Sequence, residues 1–144
     1  MRGLPACAAF IPMRYLIVLL CLSAACSGSP TSPSPSLPAL VTLAPGASQQ
    51  VAGTGLTLRF DRVQSDSRCP SDALCIQQGD AAVVLSLSTA ASTATHTLLV
   101  NDRSQSGATG GAFLVTFETL APYPSSTAQI DPASYRATFR VSRP

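Results

Sequence analysis

The sequence lacks several features that common functional classes need. Of its 144 residues only 11% are charged, none is tryptophan, and no stretch resembles a glycine-rich phosphate loop. Hydrophobic residues nevertheless reach 46%, which argues against a disordered charged chain. Once an amino-terminal segment that does not look folded is set aside, residues 39–144 remain for a core. That length suits one small domain, and it excludes a barrel of eight strand–helix units or a two-domain nucleotide enzyme.

The charge balance argues against a nucleic-acid partner. All nine basic residues are arginine, and Arg2 and Arg14 lie within the first 25 residues. The arginines that remain match the seven carboxylates of the chain, so the domain after the leader is neutral. Neutralising several phosphates requires a concentrated basic face, which dispersed and balanced arginines do not supply. We therefore expect no binding to nucleic acid.

An apolar run near the amino terminus is typical of an export signal. Residues 15–25 are apolar or small, Arg14 precedes them, and Cys26 and a polar stretch follow. Eleven helical residues span roughly 16 Å against a hydrocarbon core of about 30 Å, so a stable transmembrane anchor is the weaker interpretation. The sequence predicts a signal peptide over residues 1–25, with Met13 as an alternative start of translation.

The end of this run predicts a lipid anchor. Residues 22–26, Leu-Ser-Ala-Ala-Cys, resemble a bacterial lipobox, in which the cysteine becomes the acylated amino terminus. The usual leucine position holds Ser23, so ordinary cleavage near Ala25 is the alternative. Residues 27–38 contain five serines and four prolines, the composition of an extended tether with a reach of roughly 35 Å. We expect a lipidated Cys26 with a tether over residues 26–38, and an exported protein anchored at the outer membrane or the cell surface.

The rest of the chain has the alternating pattern of β-strands. Strand-like runs occur at residues 40–43, 49–51, 56–61, 83–88, 95–100, 113–120 and 135–141. No window of a dozen residues shows helical spacing of apolar positions. Residues 39–144 are therefore predicted to form an all-β domain, an antiparallel β-sandwich that is immunoglobulin-like or an open barrel, with six to eight strands.

The phase of the alternation predicts which side chains face the core. The expected inward residues are Phe60, Leu85, Phe117 and Phe139, whereas Arg59 and Ser86 should point outward. Two long connections, residues 101–111 and 121–132, are expected between strands. They are binding-loop candidates or simply tolerated surface insertions.

A short motif before the last strand resembles the corner of immunoglobulin-like sandwiches. Asp131 and Tyr135 have the Asp-x-x-x-Tyr spacing, in which the tyrosine hydroxyl bonds upstream backbone. The motif precedes the last strand and not the penultimate one, so the immunoglobulin strand assignment does not follow directly. The alternative is an ordinary half-buried tyrosine.

The cysteines predict one disulfide bond. Cys7 and Cys21 leave with the leader and Cys26 carries the lipid, so the exported domain keeps Cys69 and Cys75. Two cysteines in an oxidising compartment are expected to form a disulfide bond. At this short spacing the bond should stabilise the fold by about 2 kcal/mol in the chain-entropy model. The ring would order the connection between two strands. We take Arg68, Pro70 and Asp72 as the candidate binding residues of this loop.

The candidates for metal binding and catalysis are weak. His96 is the only histidine, and its phase places it with Leu98 and Val100 on one strand face, so a sheet-edge position explains it. No cysteine spacing makes a zinc knuckle, and the aspartates match no calcium loop. No Gly-x-Ser-x-Gly elbow offers a nucleophile to pair with His96. We therefore expect no metal, no cofactor and no catalytic residues.

Several short motifs together resemble a known family. They are Asp-Ser-Arg-Cys-Pro at 66–70, Asp72, Cys-Ile at 75–76, Gly-Asp-Ala at 79–81, Ala-Pro-Tyr-Pro at 121–124 and Tyr-Arg-Ala-Thr-Phe at 135–139. This set resembles a family of small bacterial lipoproteins of unknown function. The resemblance implies an envelope β-domain without catalytic residues. That family commonly carries an aromatic residue two places after the second cysteine, where this chain has Gln77.

Two functions from different classes follow as expectations. The first is a non-enzymatic, membrane-anchored envelope lipoprotein that presents a β-sandwich for binding an envelope protein or a ligand. The alternative is a protease-inhibitor-like module that inserts the disulfide loop 69–75 into a protease cleft. A hydrolase, the third possibility, would require His96 beside an activated serine or aspartate.

Overall fold

A computed structural model describes residues 36–144 as two antiparallel β-sheets packed as a sandwich. The strands are β1 (Ala39–Leu43), β2 (Ser48–Gln50), β3 (Thr57–Asp66), β4 (Ala81–Ser88), β5 (Thr93–Leu99), β6 (Gly107–Gly110), β7 (Phe113–Ala121) and β8 (Arg136–Ser142). The first sheet has the order β1-β8-β7-β6 and the second the order β2-β3-β4-β5. The prediction of an all-β antiparallel sandwich is confirmed, and its two sheets are separate layers.

Helix is confined to one short turn among the described residues. A 3-10 turn spans Pro132–Ser134, and the Asp131 carboxylate accepts a hydrogen bond from the Ala133 amide at 3.0 Å at its start. No helix within residues 36–144 could span a bilayer. The predicted signal peptide, Cys26 and most of the predicted tether lie outside the described residues.

The core forms where the inward faces of the two sheets meet. Phe60 and Leu85 from the second sheet and Phe117 and Phe139 from the first are all buried, as their phase predicts. The Phe139 ring packs edge-on against Phe60, with ring centroids 6.2 Å apart, and lies 5.5 Å from the Phe117 ring. Aromatic contacts of this kind add to the energy of simple burial. Phe139 therefore contacts one aromatic ring of its own sheet and one of the opposite sheet.

The end of β3 departs from regular pairing. Register shifts between Phe60 and Arg62 and between Val63 and Ser65 mark two irregularities in its ladder with β4. Bulges bend a strand and increase its local twist. β3 then ends at Asp66, and residues 67–80 connect it to β4.

One predicted loop contains a strand. Residues 107–110, Gly-Ala-Thr-Gly, form β6, which pairs with the start of β7 inside the expected connection 101–111. Glycine is depleted in strands, so the alternation pattern does not reveal this one. Packing explains the glycine at 110, because a Cβ atom there would lie 2.6 Å from Leu56 Cδ1.

Tyr135 bonds a side chain and not the upstream backbone that its corner-like motif suggests. The residue is buried, and its hydroxyl donates to Asp66 Oδ2 at 3.1 Å. Asp66 is the last residue of β3, so this bond links the start of β8 to the end of an inner strand of the other sheet.

Candidate functional site

The connection 67–80 is a closed loop with a regular base. The Ser67 amide donates to the Asp80 carbonyl at 2.8 Å, and the Cys69 amide donates to the Gln78 carbonyl at 2.8 Å. These bonds extend the hairpin of β3 and β4 beyond the sheet. Above them, the predicted disulfide between Cys69 and Cys75 is confirmed, with the two Cα atoms 5.9 Å apart. We call residues 67–80 the disulfide loop.

Asp80 joins the base of the disulfide loop to the neighbouring turn. Its Oδ1 accepts hydrogen bonds from the amides of Ala81, Val100 and Asn101, at 2.7, 3.0 and 3.0 Å. Asn101 in turn donates from Nδ2 to the Gly79 carbonyl at 2.9 Å. The segment that follows β5 therefore stabilises the end of the disulfide loop that leads into β4.

Gly79 allows the two arms of the loop to approach each other. Its φ is +67°, a left-handed conformation that glycine adopts without strain. A Cβ atom at this position would lie only 1.8 Å from the Ser67 carbonyl oxygen, which is backbone and cannot move independently. The base of the loop thus depends on glycine at position 79.

We expect Gly79→Ala to open the base of the disulfide loop, with a loss of about 1–3 kcal/mol in the free energy of unfolding. Amide hydrogen exchange should show weaker protection of the Cys69 amide. Gly55→Ala is the matched control, because Gly55 has the same φ of +67° but a Cβ atom there meets nothing within 4 Å. Equal losses of protection and stability in the two variants would contradict this role for Gly79.

A second set of contacts holds the disulfide ring against the connection between β7 and β8. The Asp72 carboxylate accepts from the Ser126 amide at 2.8 Å and from the Ser126 hydroxyl at 2.7 Å. The Ser71 amide donates to the Pro124 carbonyl at 3.0 Å. The Ser126 hydroxyl and amide hold the pKa of Asp72 below its usual value, so Asp72 is ionised at neutral pH. Asp72, one of the predicted binding residues, is exposed but bonded within the molecule.

Arg68, another predicted binding residue, points into the molecule. Its side chain is 3% exposed, and Nε and Nη2 donate to the two carboxylate oxygens of Asp66 at 2.8 and 2.6 Å. The guanidinium also donates to the carbonyls of Leu120 at 2.6 Å and Pro122 at 3.0 Å, and it lies 4.8 Å from the Tyr123 ring centre. Arg68 therefore connects the disulfide loop to the end of β7, and its burial leaves the side chain inaccessible to a partner.

Every guanidinium nitrogen of Arg68 and both carboxylate oxygens of Asp66 take part in hydrogen bonds. Burial by itself would raise the pKa of Asp66, but the hydrogen bonds and charge of Arg68 outweigh it, and the Tyr135 hydroxyl adds to them, so the pKa is lowered. Burial, together with the Asp66 charge, raises the pKa of Tyr135. Asp66 is thus a carboxylate and Tyr135 a neutral donor at neutral pH. A buried ion pair of this kind is destabilising to break, because either charge alone stays desolvated.

Two large apolar side chains of the disulfide loop are exposed to solvent. Leu74 and Ile76, on either side of Cys75, are fully exposed. Tyr123, in the connection between β7 and β8, is half-exposed. Pro70, the third predicted binding residue, is half-buried at the start of the ring. Leu74 and Ile76 are not among the predicted binding residues, although Leu74 lies within the loop 69–75 of the protease-inhibitor alternative. The sequence signal that could have found them is that Leu74 and Ile76 are the two large aliphatic residues of residues 67–80.

Comparisons with known proteins do not add an assignment. No family model, curated protein or solved structure matches this chain. Within the described range, no group of three histidine, cysteine or acidic side chains is placed to hold a metal ion. The function is therefore inferred from the chemistry of the residues themselves.

Proposed function

We propose that this protein is a non-enzymatic, membrane-anchored envelope lipoprotein whose β-sandwich binds a partner protein through the disulfide loop. One observation carries the proposal: Leu74 and Ile76 are fully exposed on a loop that is closed by a disulfide and hydrogen-bonded at its base. Burying an exposed aliphatic side chain of this size yields about 1.5–3 kcal/mol. A partner with an apolar pocket would gain that energy.

The rigidity of the loop supports binding with little loss of entropy. The disulfide, the Cys69–Gln78 backbone bond and the Asp72–Ser126 bonds each restrict the ring before any partner arrives. Ordering a free loop costs about 1–2 kcal/mol per residue for the backbone, and a preformed loop avoids much of that cost on binding. The loop therefore has the preorganisation that a docking element needs.

The anchor part of the proposal rests on the amino-terminal sequence. The arginine-flanked apolar run, the lipobox-like residues 22–26 and the Ser/Pro-rich stretch after them support export, lipidation of Cys26 and attachment at the outer membrane or cell surface. A lipid chain contributes about 0.8 kcal/mol per buried methylene, so it can hold a small neutral domain at a membrane. A tether of that composition leaves the domain free to meet an envelope protein.

The proposal is tested by chemical cross-linking of the full-length protein in intact cell envelopes. A cross-linked partner should form with the wild type and not with Leu74→Ser/Ile76→Ser, whose affinity should fall more than about a hundredfold on loss of about 3 kcal/mol of apolar burial. Leu40→Ser is the matched control, because Leu40 is exposed on β1, away from the loop. Cys26→Ser in the same preparation should release the protein from the membrane fraction. Equal partner yield from the Leu74/Ile76 and Leu40 variants would remove the loop from the proposal.

The exposure of Leu74 inside the disulfide ring favours a second candidate function. Protease inhibitors present an exposed side chain on a constrained loop, and residues 69–75 form such a loop here. The protein at micromolar concentration should then inhibit at least one envelope protease that cleaves after aliphatic residues. The absence of inhibition across a panel of such proteases would eliminate this candidate.

A further inference from the structure

β5 is the longest edge strand of the sandwich, and its sequence contains none of the usual protections of an edge. The two sheets formed by residues 36–144 have four edge strands: β1 with five residues, β2 with three, β6 with four and β5 with seven. β5 contains no proline, no carboxylate and no arginine. Its seven pairs with β4 are consecutive, so no bulge turns the edge away. Such a strand is a template for pairing with another strand.

The hydrogen bonds at the two ends of the β4–β5 hairpin show which residues face β4. At the turn, the Thr89 amide donates to the Ser92 carbonyl at 2.8 Å. At the other end, the Val100 amide donates to the Ala81 carbonyl at 3.2 Å. Alternate residues of an antiparallel strand bond to the same neighbour, and the register between these two bonds is unbroken. The even-numbered residues of β5 therefore bond to β4.

The odd-numbered residues of β5 present their amides and carbonyls at the free edge. The Leu99 amide confirms this direction, because it donates to the Gln105 carbonyl at 3.0 Å, in the segment that follows β5. Within residues 36–144 no backbone group bonds to the outward amides and carbonyls of Thr93, Thr95 and Thr97. The side chains of these three threonines are exposed as well. Residues 93–97 are therefore the open part of the edge.

We propose that β5 pairs in antiparallel orientation with β5 of a second copy of this chain, about a two-fold axis at Thr95. In this register Thr95 lies opposite the partner's Thr95, and Thr93 lies opposite the partner's Thr97. Each pair joins two residues whose amides and carbonyls face outward, so each can exchange two backbone hydrogen bonds. The bonded pairs end at Thr97, before Leu99, whose amide already has a partner. The same stretch of both copies is thus used, as a two-fold interface requires.

The side chains of this edge suit a second copy of the same chain. Charges close to a two-fold axis face like charges, but neither β4 nor β5 carries a carboxylate or an arginine. Thr93, Thr95 and Thr97 share one face, so the register places threonine opposite threonine at all three positions, and such cross-strand pairs are favourable. His96 lies opposite the partner's Ala94, so the histidines do not face each other. No repulsion therefore opposes the self-pairing.

The pairing leaves the disulfide loop accessible. None of residues 93–97 belongs to the disulfide loop, which leads into β4 at the end of the hairpin where Ala82 pairs with Leu99. Because the two copies of β5 are antiparallel, their disulfide loops lie at opposite ends of the joined sheet. Dimer formation is therefore independent of the proposed docking function, and the two are tested separately.

Sedimentation equilibrium of the full-length protein in excess density-matched detergent micelles measures the oligomeric state. The wild type should be a dimer at high micromolar concentration. Thr95→Arg places two like charges at the axis and should weaken the dimer at least about tenfold. Its side chain points to solvent in the single copy, so the fold should remain. Thr42→Arg is the matched control, because Thr42 is an exposed threonine on β1, an edge strand of the other sheet.

Two further variants test the register and the backbone bonds. Thr95→Glu alone should weaken the dimer as Thr95→Arg does, whereas an equimolar mixture of the two should recover a dimer with one copy of each. Thr95→Pro removes an amide that faces away from β4, so the strand keeps its ladder bonds while the dimer loses bonds at the axis. Circular dichroism verifies that each variant is folded.

Three results would overturn the proposal. The first is a wild type that stays monomeric at high micromolar concentration, which would leave the β5 edge to a strand from another protein. The second is a Thr95→Arg variant that dimerises as tightly as Thr42→Arg. The third is a mixture of Thr95→Arg and Thr95→Glu that does not recover the dimer.

Discussion

Arg68→Met is expected to lower the free energy of unfolding by about 3–5 kcal/mol, the cost of breaking a buried ion pair from one side. The Asp66 carboxylate, 8% exposed, would keep its charge in a desolvated site, with the Tyr135 hydroxyl as its remaining side-chain donor. The carbonyls of Leu120 and Pro122 would also lose their donor. Urea denaturation at neutral pH measures the change.

The matched control is Arg59→Met, because Arg59 also pairs with an aspartate close to it in sequence. The Arg59–Asp61 pair has an N–O distance of 3.2 Å, but its side chains are 57% and 22% exposed, so its loss should cost no more than about 1 kcal/mol. The double variant Arg68→Met/Asp66→Leu should recover part of the stability, since it removes the orphaned charge. If Arg68→Met and Arg59→Met lose similar stability, Arg68 does not anchor the loop.

Phe139→Ala should cost about 3–5 kcal/mol, because the residue is fully buried and truncation leaves a cavity where the two sheets meet. Two aromatic neighbours, Phe60 and Phe117, would lose a ring contact at the same time. Thermal and urea unfolding measure the effect, which is a large share of the total stability of a small domain.

Leu40→Ala is the control for the core substitution. Leu40 lies on β1, which pairs with β8, and it is 63% exposed, so its truncation removes little buried surface. We expect a change of about 0.5 kcal/mol or less, typical of surface positions. Comparable losses for Phe139→Ala and Leu40→Ala would mean that the inward and outward faces of the first sheet are reversed.

The strand phase was predictable because burial imposes a period of two on each half-buried strand. Phe60, Leu85, Phe117 and Phe139 follow it, and each is buried between the sheets. β6 was not predictable in this way, because a strand of Gly-Ala-Thr-Gly has almost no side chains to alternate. Its pairing depends on the neighbouring β7, and the sequence of β6 alone does not contain that information.

The disulfide was predictable from counting cysteines, but the role of Arg68 was not. Arg68 is preceded by Asp66 in sequence, whereas its carbonyl acceptors on Leu120 and Pro122 lie 52 and 54 residues further along the chain. A charged residue in a loop is usually solvated, so only the three-dimensional fold shows that this one is enclosed. The exposure of Leu74 and Ile76 is the converse case, since aliphatic residues are usually buried.

We propose that the disulfide loop is a preformed docking element, and envelope cross-linking of the Cys69→Ser/Cys75→Ser variant tests this role most directly. We expect this variant to lose about 2 kcal/mol of stability while the sheets stay folded, with the Phe139 amide still protected from hydrogen exchange. Its yield of the cross-linked partner should fall well below that of the wild type, although Leu74 and Ile76 remain in place. An unchanged yield from a folded variant without the disulfide would contradict the claim.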